Sequence, residues 1–204
     1  MSKQSIGLTQ FIDFTIKGSS AKTTMVRKIK YQQEYNPAFD YWKALRDGIR
    51  KFHEQNHDII FFDGLINELD PKKRENYISS IKQYLKFIKG KDIEWFDPGK
   101  AIWTSNELVV RSSPELGLII NGQPHLIKLY FKGKTERIDK RNISTTITLM
   151  NTSTFEKKVH VTEAHRSVLN IHKNRLHSDT TVDTDRLLAL QSEAAQFMYI
   201  WENI

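Results

Sequence analysis

Cysteine is absent from the 204 residues of this chain, which excludes disulfide bonds and zinc sites built from thiolates. There is no run of about 18 apolar residues, and the N-terminus lacks the charged-then-apolar order of a secretion signal. The Gly-rich phosphate loop, the G-x-S-x-G motif and the G-x-G-x-x-G fingerprint are also missing. We therefore expect a soluble cytoplasmic protein without a membrane partner, and neither nucleotide-driven nor α/β-hydrolase chemistry.

Basic residues are in excess, with 31 Lys and Arg against 24 Asp and Glu, a net charge of +7 and a pI of about 9.4. This balance favours a polyanionic partner, and DNA or RNA is the partner that we expect. The alternative is that the charge serves solubility alone. The cations are spread along the chain and are not confined to one tail.

The composition is that of a folded protein, because 39% of the residues are apolar, 11% are aromatic and no tract has low complexity. A chain of this length is most simply one domain covering residues 1–204. Within it we expect strands and a helix in residues 1–60, a core in residues 70–175 and a closing helix in residues 184–204.

Three segments repeat apolar residues at intervals of three and four, the spacing of an amphipathic helix. They cover residues 38–54, 72–89 and 184–203. The first follows Asn36-Pro37, a common helix start, and the second lies between Asp70-Pro71 and Gly90. We therefore predict a helix in each segment.

The N-terminal residues, up to about residue 33, are expected to form one or two strands around the turn Gly18-Ser19-Ser20. Residues 14–33 carry five cations and no acid. On a hairpin, the alternating cations between Lys22 and Lys30 would form an exposed track for phosphates. An ordinary solvated face is the equally simple alternative.

Residues 106–132 predict a three-strand antiparallel meander at the centre of a mixed sheet, flanked by the helices. Its segments are ELVVR, ELGLII and HLIKLYFKG, and Asn121-Gly122 between the last two is a strong hairpin signal. The following residues 136–151 are ambiguous. Their Ile and Met spacing suits a helix, whereas their β-branched content favours a strand. Residues 167–178 predict a strand that turns near Lys173-Asn174.

Two short motifs in this meander resemble those of the PD-(D/E)XK, or restriction-endonuclease-like, nuclease superfamily. Pro114-Glu115 occupies the place of the PD pair, and Leu126-Ile127-Lys128 follows ten residues later in the place of (D/E)XK. The family core is a helix, a three-strand meander, a helix and a further strand. The resemblance covers residues 70–175 and makes the ambiguous segment the second helix.

The resemblance implies magnesium-dependent phosphodiester hydrolysis. Glu115 would be a catalytic metal ligand, and Lys128 would stabilise the charge that develops on the phosphate. The chain departs from the family at Leu126, where a second carboxylate is expected. Glu75 on the preceding helix is the candidate for the missing ligand, because members of the superfamily sometimes place an acid there.

Three functions remain open. One is a magnesium-dependent nuclease. The second is a nuclease-like fold that has lost its acid and binds nucleic acid or serves as a subunit of a larger assembly. The third is a protein-interaction or structural protein whose charge is incidental. The cations that we expect to bind nucleic acid are Lys22, Arg27, Lys28, Lys30, Lys132, Lys134, Lys173 and Arg175.

Overall fold

The computed structural model of the chain describes residues 3–32, 40–132, 140–157 and 163–204, and it has an α/β fold. The described helices are α1 (Leu8–Thr15), α2 (Ser19–Lys30), α3 (Lys43–Glu54), α4 (Phe61–Asn67), α5 (Pro71–Ile88), α6 (Lys140–Asn151) and α7 (Thr184–Glu202). The described strands are β1 (Gln4–Gly7), β2 (Ile93–Phe96), β3 (Ala101–Ser105), β4 (Leu108–Arg111), β5 (Leu116–Ile120), β6 (Gln123–Tyr130), β7 (Thr154–Phe155), β8 (His165–Asn170) and β9 (Arg175–Asp179). No helix in these ranges is long and apolar enough to cross a membrane.

The strands form two mixed sheets. The larger has the order β2-β5-β6-β8-β9, and the smaller has the order β1-β4-β3-β7. In the larger sheet, β5 is antiparallel to both β2 and β6, whereas β6 and β8 are parallel. A parallel pair needs a crossover connection, and α6 lies in the connection between β6 and β8.

An apolar core covers each face of the larger sheet. Helices α3, α4 and α5 pack on one face, against side chains such as Ile127 and Leu129. Helix α6 packs on the other face with α1, α2, α7 and the smaller sheet, against Tyr130 and Val168. Because neighbouring strand residues point to opposite faces, β6 supplies side chains to both cores. Lys128 therefore shares a face with Tyr130.

Several predicted elements are confirmed. Helices α3, α5 and α7 lie in the three segments with apolar periodicity. Helix α3 begins at Lys43 and not at residue 38, and Asn36-Pro37 falls outside the described residues. Asn121 and Gly122 have φ values of 49° and 81° and join β5 to β6, as the Asn-Gly hairpin signal predicts. Strands β8 and β9 flank a turn that contains Lys173 and Asn174.

The prediction of an N-terminal hairpin is wrong. Among the described residues 3–32 only β1 is a strand, and it is followed by the helices α1 and α2 on either side of Gly18. The buried side chains of α2 are Lys22, Val26 and Ile29, which recur at four and three residues, the spacing of one helical face. The exposed basic face of a hairpin between Lys22 and Lys30 therefore does not exist.

The prediction that residues 106–132 form a three-strand meander is also wrong, although the β5–β6 hairpin within it is correct. Strand β4 pairs with β1 and β3 in the smaller sheet, and the chain passes to the larger sheet before β5. The third antiparallel strand is β2, which pairs with β5. Pro114 lies in the crossing, and because it has no backbone N–H it cannot continue the β4 ladder as a donor.

The pairing of β2 with β5 depends on glycine at position 117. Gly117 lies opposite Phe96, and a Cβ atom there would stand 2.3 Å from the Phe96 carbonyl oxygen. Backbone atoms cannot yield as a flexible side chain can, so a larger residue would separate the two strands.

The ambiguous segment is a helix, α6. The side chains of Ile143, Ile147 and Met150 are buried in the core against the larger sheet. Burial of each such side chain stabilises the fold by about 1.5–3 kcal/mol, whereas the low helix propensity of a β-branched residue destabilises a helix by at most about 0.7 kcal/mol. Packing therefore outweighs the local preference of the threonines for a strand.

Replacing Ile81 by Ala should lower the free energy of unfolding by about 2–5 kcal/mol, because this α5 side chain is 4% exposed and a cavity would remain. Ser79→Ala, at an exposed position on the same helix, is the matched control and should change the free energy of unfolding by less than about 0.5 kcal/mol. Urea unfolding of both variants measures the difference. Equal stability of the two variants would show that α5 does not pack on the sheet through this face.

Candidate functional site

Glu115 and Lys128 meet at the end of the β5–β6 ladder. The last register pair is Leu116 with Ile127. Glu115 continues the pairing by one hydrogen bond, because its N–H donates to the Ile127 carbonyl at 2.9 Å. The Lys128 ammonium forms an ion pair with Glu115 Oε1, and the Leu129 N–H donates to Oε2 at 2.8 Å. The carboxylate thus accepts from a backbone N–H of β6 beyond the point where β5 pairing ends.

A second acid and base extend this ion pair. Arg46 on α3 places Nε 4.0 Å from Glu115 Oε1, and its guanidinium donates to both carboxylate oxygens of Asp40, the shorter contact being 2.6 Å. The four side chains of this charge cluster are between 7% and 22% exposed. They alternate in charge and are formally neutral together. The sequence gives no signal for this extension, because Asp40 and Arg46 lie far from the motif along the chain.

Position 126, where the family motif has an acid, is fully buried and apolar. Leu126 shares a sheet face with Lys128 and pairs in register with Arg166 on β8. The Arg166 Nε is buried without a hydrogen-bond partner among the described residues, and the guanidinium lies over the Phe155 ring. Burial lowers the pKa of Arg166 from its usual value. A cation rather than a second carboxylate therefore stands beside position 126.

The described residues do not fit a magnesium ion at this place. Magnesium takes a near-octahedral shell of oxygens that usually includes one or two carboxylates. Both Glu115 oxygens already accept from nitrogen donors, and the Asp40 carboxylate is held by Arg46. Glu75, the predicted second ligand, is exposed on α5 and lies outside the buried face that carries Tyr77 and Ser80. Within the described ranges no group of three or more His, Asp or Glu is arranged to hold a metal.

Three of the cations that we expected to bind nucleic acid are engaged in contacts within the fold. Lys22 is 7% exposed and contacts Glu193 at 2.6 Å and Gln196 at 2.9 Å on α7. Lys30 donates to the carbonyls of Trp201 and Ile204, which the C-terminal end of α7 leaves without helical donors. A third cation, Lys132, forms an ion pair with the buried Asp13. Lys22 and Lys30 thereby hold α2 to the C-terminal part of the chain, and Lys132, two residues beyond β6, is held to α1.

The remaining predicted cations divide between two surfaces. Arg27 and Lys28 are exposed on α2, and Lys173 and Arg175 are exposed at the β8–β9 turn. Lys134 lies outside the described residues. The structure therefore brings Lys173 and Arg175 together, but it does not join them to the engaged cations of α2 in one continuous track.

Two histidines, the buried His125 and the half-buried His53, have pKa values well below the usual value of histidine. Loss of hydration on burial lowers the pKa of His53 to about 4, and its Nε2 is hydrogen-bonded to the hydroxyl of the fully buried Tyr84. Burial, followed by the nearby His165, lowers the pKa of His125 to about 4, and its Nδ1 is 2.9 Å from Ser167 Oγ. His53 also lines a cavity of about 570 Å³ beside the C-terminal ends of α3 and α5.

No protein-family model matches the chain, and no curated protein matches its sequence.

Glu115→Gln should lower the free energy of unfolding by about 2–4 kcal/mol, because it leaves the nearly buried Lys128 without its counter-ion. Lys128→Met should also destabilise the protein. The double variant should recover most of the loss, because neither charge then remains unpaired. Urea unfolding of all four proteins gives the coupling energy. Strict additivity of the two single changes would mean that the residues do not act as a pair.

The free energy of unfolding should fall as the pH is lowered from about 6.5 towards 4. In this window the unfolded chain protonates His53 and His125, while the folded chain keeps both neutral because their pKa values are about 4. Each histidine should contribute a loss of about 1 kcal/mol per pH unit. Chemical unfolding at a series of pH values measures the slope. The slope should be smaller in the variant His53→Gln/His125→Asn. An unchanged slope would show that these two histidines do not cause the loss of stability at low pH.

Proposed function

We propose that this chain is a nucleic-acid-binding protein built on a nuclease-like core that has lost its metal-binding acid. The supporting observation is the convergence of Glu115 and Lys128 on one sheet face, as the PD-(D/E)XK motifs would require. The order of elements supports it further. Helix α5, the antiparallel strands β2, β5 and β6, helix α6 and strand β8 follow the family's core order, with β3 and β4 inserted between β2 and β5.

In this proposal Glu115 and Lys128 hold the sheet together and do not cleave phosphodiester bonds. A nuclease needs an oxygen ligand that is open to the metal and a cation that is aimed at the phosphate. Here each charge neutralises the other, and the Leu129 N–H occupies the second carboxylate oxygen. Leu126, which is fully buried, stands where the family motif has the second carboxylate ligand. Binding of nucleic acid then depends on the net charge of +7 and on cations elsewhere on the surface.

A role as a protein-binding subunit is favoured by a different observation. Leu188 and Tyr199 on α7 are 61% and 70% exposed, and they lie eleven residues, about three helical turns, apart on one side of the helix. The smaller side chain of Ala195 lies between them on the same side and is exposed too. A protein partner in a larger assembly would cover such side chains, and it is compatible with nucleic-acid binding by another surface.

The test compares the native protein with Glu115→Gln on labelled duplex and single-stranded DNA and RNA, with magnesium or with a chelator. We expect binding by the native protein, without magnesium-dependent cleavage in either protein, and no rise in melting temperature when magnesium is added. Magnesium-dependent cleavage by the native protein that is lost in Glu115→Gln, while the variant keeps the melting temperature of the native protein, would overturn the structural role of the pair. Absence of binding to every nucleic acid at about 50 mM salt would overturn the proposed function itself.

A further inference from the structure

Helix α5 and the residues that flank it carry most of the excess charge of the protein. Between Asp70 and Lys91 the chain has seven cations and two acids, a net charge of +5 against +7 for all 204 residues. The apolar side chains of this helix face the sheet, so its cations are left for solvent. Lys82, Lys86 and Lys89 recur at four and three residues and are all exposed, which places them on one outward line.

The β8–β9 turn extends this line of cations sideways. Asn174 in the turn donates from its side-chain amide to the Gln83 carbonyl of α5 at 3.0 Å, so the turn lies against the helix beside Lys82. Asn174 has a φ of 50°, in the left-handed region that asparagine tolerates, and this fixes the bend that presents its neighbours. Those neighbours, Lys173 and Arg175, are both exposed.

We call these five residues the α5–turn surface: Lys82, Lys86, Lys89, Lys173 and Arg175. Within the described parts of the chain, none of their side chains forms an ion pair or a hydrogen bond. This differs from Lys22, Lys30 and Lys132, whose charges are engaged in the fold. The α5–turn surface is therefore a group of neighbouring cations whose charge the described part of the protein does not neutralise.

We propose that the α5–turn surface binds the phosphate backbone of a double-stranded nucleic acid, an inference that rests on the proposed function and locates its binding site. The three lysines extend along about 10 Å of helix, which is about the axial length of three phosphate-to-phosphate steps of one strand, at about 3.4 Å each. The two cations of the turn are placed beside this row, where they widen the contact.

The composition of the surface favours a duplex over the other polyanions. Proteins that bind single strands stack bases on aromatic side chains, and the outward line of α5 from Lys72 to Lys89 contains only Lys, Glu and Ser at its exposed positions. Helices that lie on membranes insert an apolar face, whereas the apolar face of α5 is covered by the sheet. Phosphate contacts alone do not read sequence, so binding is expected to be indifferent to sequence.

The experiment compares the native protein with two variants that each lose three exposed cations. The test variant is Lys82→Gln/Lys86→Gln/Lys89→Gln. The control variant is Arg27→Gln/Lys28→Gln/Lys100→Gln, which has the same net charge but leaves the α5–turn surface intact. Fluorescence anisotropy at several salt concentrations gives the affinity of each protein for duplex DNA, duplex RNA, single-stranded DNA and vesicles that contain anionic lipid. Thermal unfolding verifies that both variants fold.

The test variant should bind duplexes more than tenfold more weakly than the native protein, and its log–log salt slope should be smaller in magnitude by about 2–3, near 0.9 per lost phosphate contact. The control variant should change affinity much less. The two duplex arms show whether DNA or RNA is preferred.

Native binding that the test variant retains, or that the control variant loses equally, would overturn the α5–turn surface and leave nucleic-acid binding standing. Stronger binding to single strands or to vesicles would overturn the duplex assignment. If the native protein bound no nucleic acid at all, the proposed function would fail together with the inference.

Discussion

The passage of the chain from the smaller sheet to the larger one is the constraint on which the candidate site depends. At this crossing β4 ends, Pro114 supplies no backbone donor, and Glu115 is the first residue to bond with β6. Its carboxylate then satisfies the N–H of Leu129 and neutralises Lys128, whose side chain is nearly buried. Removal of the acid alone would leave both a buried cation and an unpaired donor, each of which is costly.

This constraint also fixes which chemistry the pair can support. A carboxylate that closes a sheet must keep its partners, whereas a catalytic carboxylate must release a ligand position to a metal or a substrate. Arg46 adds a second cation at 4.0 Å, and Arg166 rather than an acid faces Leu126 across β6 and β8. The polar contacts that the described chain makes with the Glu115 carboxylate are therefore all with nitrogen donors. The arrangement favours a role in stability over a role in hydrolysis.

The sequence predicts those parts of the fold whose signals are local. Helix α5 lies between a capping Asp70 and Gly90, and the β5–β6 turn uses the Asn-Gly pair that its backbone angles require. The pairing of the strands is not predicted by local signals, because the residues of β4 and β2 do not indicate which strand each will pair with. The Thr and Val content of α2 misleads in the same way, since burial against α7 decides its conformation.

The candidate site was predictable to a similar extent. The spacing of Pro114-Glu115 and Lys128 is visible in the sequence, and strand alternation brings the two charges to one face. Their contacts with Arg46, and through it with Asp40, come from tertiary packing alone. The same limit applies to the basic residues. Lys22 and Lys173 are equivalent in the sequence, yet Lys22 contacts Glu193, which is 171 residues away, and Lys173 remains exposed.

The protein thus separates two uses of charge. Lys22, Lys128 and the Glu115 and Asp13 carboxylates are largely withdrawn from water and hold elements of the fold together. The cations of the α5–turn surface remain in water on a helix whose other face is fixed to the sheet. At 0.1 M salt the Debye length is about 10 Å, and interactions between exposed charges that are farther apart are largely screened. Buried ion pairs are screened much less. Rising ionic strength should therefore weaken contacts of the α5–turn surface well before it affects the ion pairs of the fold, so a loss of binding in salt reports the surface and not unfolding.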